Sequence, residues 1–259
     1  MFRRAGLRRS FVLVAGAAWL FVSDHGVGAE QASLPSAQEI LARQVAAIGG
    51  EAAWKAVASM HATGTFSLTA QALSGTIDMQ AARPAKVRVV ITLAGVGRVE
   101  SGYDGKVGWS IDPLAGPSVL AGRELSEMAD EAFFDSPLHG PEYIKEFVPV
   151  GRETFAQKNA YKVKVVFKSG TEQFEFFDVT SGLLLGFEGT RAMPMGVVPT
   201  TEIIEEYKEF GRLRLPTAVT QRALGFETQI RIATFEFDTV PPTAFDLPPA
   251  IKALIKLRP

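Results

Sequence analysis

The chain contains no cysteine. This absence excludes disulfide bonds, thiolate catalysis, cysteine-ligated zinc and a lipid-modified N-terminal cysteine. Histidine is also scarce: beyond residue 29 only His61 and His139 remain, and neither has an acidic neighbour at the spacing of a helical zinc motif. Nucleophile elbows and glycine-rich phosphate loops are missing as well. We therefore predict a non-enzymatic protein with no catalytic residues, no metal and no cofactor.

The sequence also lacks an excess of positive charge. Residues 1–29 hold four of the 27 basic residues and one of the 28 acidic residues, which leaves 23 basic and 27 acidic side chains. Nucleic-acid-binding proteins usually carry a basic excess, because phosphate contacts dominate their affinity. We therefore expect no nucleic-acid partner. Beyond residue 29 no apolar run is long enough to predict a transmembrane segment.

The first 29 residues have the pattern of a secretory signal peptide. Four arginines precede an apolar run of twelve residues, 11–22, and the small residues Val27-Gly28-Ala29 form a cleavage signal. A membrane anchor is the alternative, but such a run is shorter than the roughly 20 residues that span a bilayer. We predict cleavage near Ala29 and a periplasmic location.

The remainder predicts helices first and strands afterwards. Ser36 and Glu39 form a capping box, and Gly49-Gly50 end the helix that it starts. Beyond His61, segments such as "AKVRVVITL" and "YKVKVVFK" alternate apolar and polar residues, as half-buried strands do. Short turn signals between them indicate antiparallel neighbours. We predict one domain, residues 30–259, mainly β with helices, in which about 10–12 antiparallel strands form a strongly curved sheet or unclosed barrel.

One amphipathic helix interrupts the strands. In "GRELSEMADEAFFD", residues 122–135, the apolar residues Leu125, Met128, Ala132 and Phe133 recur at helical spacing. We predict that this helix covers the concave apolar face of the sheet as a lid. Residues 247–259 form a second amphipathic segment at the C-terminus.

Two groups of polar residues invite a catalytic interpretation. Glu202, Glu205, Glu206 and Glu209 could supply an acid and a base, but their spacing along a strand favours a solvated face. His139 with the nearby Glu142 gives a remote hydrolase hypothesis.

Three short motifs occur in a fixed order along the chain: Arg83-Pro84, then "DGKVGWSIDP" at residues 104–113, then Phe245 with Pro248. They resemble the periplasmic lipoprotein-carrier proteins, the LolA/LolB-like family, over most of the chain beyond residue 29. The resemblance implies an unclosed antiparallel barrel whose helices cover a hydrophobic cavity for acyl chains. Members of the family have an interior arginine that gates the lid, and the candidates for it here are Arg88 and Arg98.

The chain is rich in phenylalanine, with 18 residues, which indicates an interior that sheet and helices share. Such an interior can be an apolar ligand pocket. The residues predicted to line it are Phe66, Leu68, Val87, Val89, Ile91, Trp109, Phe174, Phe176, Phe187, Phe235 and Phe237. The leading hypothesis is a carrier for a lipid or an acylated protein. Inner- or outer-membrane transport proteins would deliver this cargo to the carrier or receive it. The alternative is a cell-envelope interaction module of the same fold with a filled core.

Overall fold

The computed structural model describes residues 34–193 and 196–257, so the predicted signal peptide lies outside the described residues. The helices are α1 (Ala37–Ala47), α2 (Glu51–Lys55), α3 (Gly122–Ala132) and α4 (Pro249–Lys256). The strands are β1 (Ser59–Leu68), β2 (Leu73–Ala82), β3 (Lys86–Leu93), β4 (Gly97–Tyr103), β5 (Gly108–Asp112), β6 (Gly116–Val119), β7 (Ile144–Phe155), β8 (Lys158–Phe167), β9 (Glu172–Asp178), β10 (Leu184–Met193), β11 (Gly196–Phe210), β12 (Leu213–Ala223) and β13 (Phe226–Phe237). Within these ranges no helix is long and apolar enough to cross a membrane.

All thirteen strands form one sheet in the order β6-β5-β4-β3-β2-β1-β13-β12-β11-β10-β9-β8-β7. Pairing of β1 with β13 joins two antiparallel meanders, and β6 and β7 remain as the outer edges. The prediction of an unclosed antiparallel barrel with helices is confirmed. The strand count exceeds the predicted range because β6 contains Gly116 and Pro117, which give no strand signal.

Helix α3 is the connection between the two edges of the sheet, since it follows β6 and precedes β7 in the chain. It contacts β3, β4 and β5 of the first meander and β10 of the second. The helix therefore crosses from one half of the sheet to the other.

Helices α1 and α2 cover the concave face at one end. The capping box is present, with Ser36 and Glu39 each bonded to the other's backbone N–H. The cluster beneath α1 consists of Ile40, Ile144, Tyr161, Val163, Val165, Phe167 and Phe177. A second cluster, around α2, consists of Ile48, Trp54, Leu138, Leu213 and Leu215. These two clusters pack most of this end of the interior.

Arg83, from the Arg-Pro motif, fixes α2 to the loop that follows α3. Its Nε donates to the Val57 carbonyl (2.8 Å) and its Nη2 to the Trp54 carbonyl (3.2 Å). The guanidinium also pairs with Asp135 and lies 4.9 Å from the ring centroid of Phe134. The motif therefore has a structural role in this fold.

A bulge in β10 determines which of its side chains face inward. The register shifts between Leu184 and Gly186, so Leu184 and Phe187 both lie on the concave face although their spacing is odd. Gly186 has φ +144°, and a Cβ there would lie 1.9 Å from the Glu202 carbonyl oxygen. Only glycine allows this approach of β10 to β11 without a shift of the backbone.

Candidate functional site

A cavity lies between α3 and the concave face of the sheet. Its volume is about 490 Å³, within the range of ligand pockets in proteins. Met79, Val87, Val89, Met128 and Phe187 supply its apolar walls. A second space of about 260 Å³, beneath α1 and the loop after α3, shares Phe187 and several other lining residues with it. The two spaces are therefore adjacent parts of one interior.

Eight of the eleven predicted wall residues lie on the concave face, as the strand register shows. Val87, Val89 and Phe187 line the larger cavity. Five others share their face: Phe66, Leu68, Ile91, Phe235 and Phe237. Phe235 and Phe237 pack against the core cluster around α2. A ligand role for these eight residues stays a prediction.

The other three predicted wall residues, Trp109, Phe174 and Phe176, lie on the outer face, so their assignment to the cavity wall is wrong. Val89 pairs with Ser101, and Ser101 pairs with Ser110, so these three side chains lie on the concave face. Trp109 is the neighbour of Ser110 in the same strand and therefore points to the outer face. Trp109 is nonetheless only 2% exposed.

The C-terminal segment packs beside the strand that carries Trp109. Phe245 lies 5.9 Å from Nζ of Lys86, an outer-face residue of β3, and α4 packs against β6. The neighbouring side chain Ile251 of α4 is fully buried. The predicted amphipathic segment 247–259 therefore covers the outer face as far as residue 257.

Phe174 and Phe176 alternate with Gln173 and Glu175, which line the interior. Phe176 is fully buried on the outer side, where it stacks on Phe155 with ring centroids 4.0 Å apart. Phe174 is 37% exposed there. Apolar burial on both sides of these strands is the reason that alternation alone assigned them wrongly.

The predicted lid helix forms but is shorter than predicted. It ends at Ala132, and Phe133 lies beyond it in an extended conformation, stacked on Tyr143 with a centroid separation of 4.8 Å. Met128 lines the cavity, and Leu125 packs on Gly108 of β5. Ala132 is buried at the end of the helix.

Polar contacts attach α3 to β10. The carboxylate of Glu127 accepts from Arg123 Nε (2.7 Å) and from the backbone N–H of Ala192 (2.8 Å). Arg123 Nη2 donates to Thr190 Oγ1 at 2.6 Å. Sequence reasoning predicted the apolar face of the helix but missed this attachment, because its partners lie more than sixty residues apart.

Further along α3, Glu131 forms an ion pair with Arg191 of β10, which lines the cavity. Asp130 accepts a hydrogen bond from Ser169, and burial raises the pKa of Asp130 despite this bond. Arg191 is thus an arginine that reaches both the interior and the lid.

Arg88 and Arg98, which the sequence suggested as candidates for an interior arginine, do not lie in the interior. Both Arg88 and Arg98 bond to Glu100 on the outer face of the sheet. Neither is a candidate for an interior arginine.

The inner wall of the cavity on β11 and β12 is polar. Thr200 and Glu202 lie on the same face of β11, and Gln221 Nε2 donates to Glu202 Oε2 at 2.7 Å. Burial raises the pKa of the Glu202 carboxyl, while Gln221 and Arg191 oppose the shift. The predicted solvated strand face is therefore wrong for Glu202.

The other glutamates of that run behave as expected. Glu205, Glu206 and Glu209 are exposed. Register shifts at residues 204–207 change the alternation within the run, so an even spacing rule could not separate Glu202 from them.

His139 belongs to a buried ion pair with Glu175, and its distant partner was not predictable from the sequence. Nε2 of His139 lies 2.7 Å from Oε2 of Glu175, and Nδ1 lies 3.3 Å from the Pro137 carbonyl. Burial would lower the pKa of His139, but the Glu175 carboxylate outweighs burial and raises it. A protonated ring donates from both nitrogens, so neither is left to act as a base. The suggested partner Glu142 is exposed, and the geometry gives the hydrolase hypothesis no support.

The amino-acid sequence matches no protein-family model and no curated protein. Solved structures do match. A LolA superfamily protein from Nitrosomonas europaea aligns with a TM-score of 0.54 and 13% identity over 83% of this chain and 99% of that chain. The fold is LolA-like.

Two further structures agree with this LolA-like fold. A putative outer-membrane lipoprotein-sorting protein domain from Vibrio parahaemolyticus has a TM-score of 0.51 and 16% identity, over 85% of this chain and 100% of that chain. A DUF1329 family protein from Desulfovibrio piger has a TM-score of 0.54 and 11% identity, over 82% of this chain and 98% of that chain. At such identities the likeness establishes the fold and leaves the ligand open.

Proposed function

We propose that the protein is a non-enzymatic periplasmic carrier or binding protein that holds the acyl chains of a lipid or a lipid-modified protein. The observation that carries this proposal is the cavity of about 490 Å³ with Val87, Val89 and Met128 in its walls, beneath a helix attached by polar contacts. Burial of an acyl chain is favourable by about 0.8 kcal/mol for each methylene group. We further propose that residues 1–29 are removed on export and that residues 30–259 act as one domain.

Access to the cavity would require α3 to move away from β10. Arg123 is 42% exposed, so water can replace its bond to Thr190 at low cost. The buried Glu127 would exchange its bond from the Ala192 N–H for water as the helix moves out. The apolar clusters beneath α1 and α2 would be exposed to water if those helices moved, which is unfavourable. We propose that α3 opens while α1 and α2 stay in place.

Transfer to or from membrane transport proteins would use the same opening. The Vibrio parahaemolyticus domain, described as a putative outer-membrane lipoprotein-sorting protein domain, supports this step, since it shares the fold. That description applies to the Vibrio domain, and the cargo of the present protein is to be identified by experiment.

The decisive experiment is native mass spectrometry, with organic extraction, on protein purified without detergent. We expect a co-purifying lipid or acyl species that disappears when a charge is placed in the wall by Val89→Asp. Val148→Asp is the matched control, because Val148 is 46% exposed and its partner Lys164 lies on the outer face. Circular dichroism checks that both variants fold.

The opposite result favours the alternative function. A protein that carries no lipid and takes up no apolar dye, in wild-type form and in folded variants, does not use its interior to bind apolar ligands. It would then be a cell-envelope interaction module, and a protein partner would be sought.

A further inference from the structure

A buried polar atom in the cavity wall lacks a partner. Thr200 is 6% exposed, and its Oγ1 has no hydrogen-bond partner among the residues that the structure describes. Thr200 lines the cavity, on the face of β11 that also presents Glu202. A buried hydroxyl without a partner is unfavourable, so a ligand group that bonds to it would remove this penalty.

Glu202, on the same face of β11, is a second group that lacks hydrogen-bond donors. Its Oε2 accepts one hydrogen bond, from Gln221 at 2.7 Å, whereas a carboxylate has room for about four. Withdrawal from bulk water raises the pKa of Glu202, which is the response of a carboxyl group with too few donors around it. A donor group on a ligand would stabilise the ionised form.

The charges that face this cavity decide which ligands can enter. The ionisable side chains on its walls are Glu127, Asp130, Glu131, Glu202 and Arg191, with Tyr143 neutral. The single arginine of this set already pairs with Glu131. A carboxylate or phosphate in the inner cavity would therefore meet an excess of like charge in a poorly solvated place.

Resting on the proposed function, we propose that Thr200, Glu202 and Gln221 form a polar subsite that binds a hydrogen-bond-donating end group, an amine or a hydroxyl, of an amphiphile. The chain of the amphiphile lies along Val87 and Val89. Amphiphiles that end in a carboxylate or a phosphate are disfavoured by the same residues.

The test uses three amphiphiles with the same dodecyl chain and different end groups. Dodecylamine, 1-dodecanol and laurate compete with the dye N-phenyl-1-naphthylamine for the purified protein near neutral pH, at concentrations below which each amphiphile aggregates or separates from water. We expect the amine and the alcohol to displace the dye at concentrations at least about tenfold lower than laurate requires.

Two pairs of variants locate the selectivity. Glu202→Gln should weaken dodecylamine about tenfold and improve laurate, because a charge-assisted bond and a repulsion are both removed. Its control is Glu205→Gln, at an exposed position of the same strand. Thr200→Val should weaken 1-dodecanol several-fold, and Thr201→Val, on the other face of β11, is its control.

The outcomes separate this inference from the function on which it rests. Equal displacement by all three amphiphiles, unchanged in both site variants, overturns the subsite and leaves the carrier intact. Absence of any dye or amphiphile binding overturns the proposed function itself. Preference for the amine alone assigns recognition to Glu202, and preference for the alcohol alone assigns it to Thr200.

Discussion

Replacement of His139 by leucine tests how much the buried ion pair between His139 and Glu175 contributes to the free energy of unfolding. The two side chains of the His139–Glu175 pair are 5% and 4% exposed, and their charged atoms lie 2.7 Å apart. Leucine removes the cation and leaves the Glu175 carboxylate in a pocket bordered by Phe147 and Phe177. Breaking a buried pair on one side costs about 3–5 kcal/mol, because the remaining group is unpaired in a poor solvent for charge.

Guanidinium chloride unfolding, followed by circular dichroism, measures the free energy of unfolding of His139→Leu and of the double variant with Glu175→Leu. We expect the single change to lower this free energy by about 3–5 kcal/mol and the double change to recover much of the loss. The partly buried bond from Gln173 Nε2 to Glu175 Oε1, at 2.9 Å, is retained in the variant and moderates the single effect. A loss below about 1 kcal/mol, typical of exposed ion pairs, would refute the argument.

The same pair predicts how stability depends on pH. Glu175 raises the pKa of His139 above the ordinary value of 6.5. A raised histidine pKa gives stability that is complete below the unfolded value and is lost as the pH rises through the folded value. The free energy of unfolding should therefore fall as the pH rises above about 6.5, and His139→Leu should lack this fall. An unchanged pH profile in the variant would contradict the assignment.

Two further predictions concern the lid and the outer face. Glu127→Ala removes the acceptor of Arg123 and of the Ala192 N–H, so uptake and release of an apolar dye, measured by stopped flow, should become several-fold faster, and the free energy of unfolding should fall by about 1–2 kcal/mol. Glu124→Ala on the same helix is the control. Unchanged dye kinetics in Glu127→Ala would show that α3 does not control access to the cavity. Trp109→Ala should lower the free energy of unfolding by about 3–5 kcal/mol in denaturant titrations because it empties a buried outer-face site. Dye affinity should stay the same in that variant, and a large loss of affinity in a folded protein would show that our assignment of the face is mistaken.

The strands and the lid helix were predictable because local patterns determine them. Alternation separates the two faces of a strand such as β3, and helical spacing identifies the apolar side of α3. Alternation does not say which face is the inner one when both are buried. Trp109 is the clear example, since it is buried on the outer face, and the C-terminal helix that packs against the adjacent strand β6 lies more than 130 residues later in the sequence.

The polar features of the interior were beyond local reasoning. His139 and Glu175 are 36 residues apart and come together only through the position of a loop over β9. Glu202 faces inward beside a run of exposed glutamates because register shifts break the alternation after residue 204. Turn chemistry, by contrast, was readable: Asp104 Oδ1 accepts from the N–H groups of Lys106 and Val107 at 2.8 Å, as a hairpin turn predicts.

The two kinds of cover over the concave face imply different mobility. Helix α1 inserts Ile40, which is 2% exposed, into a closed apolar cluster, so lifting it would expose that cluster to water. Helix α3 instead has its buried carboxylate, Glu127, bonded to the backbone of β10, and its apolar residue Met128 faces a cavity that is not filled by protein. Its displacement exchanges polar bonds for bonds to water and exposes little packed core. Since α3 also joins the two free edges of the sheet, its movement would open the interior without any strand leaving its neighbours. The energetic asymmetry between the helices would thus give the proposed carrier one movable wall and one fixed wall.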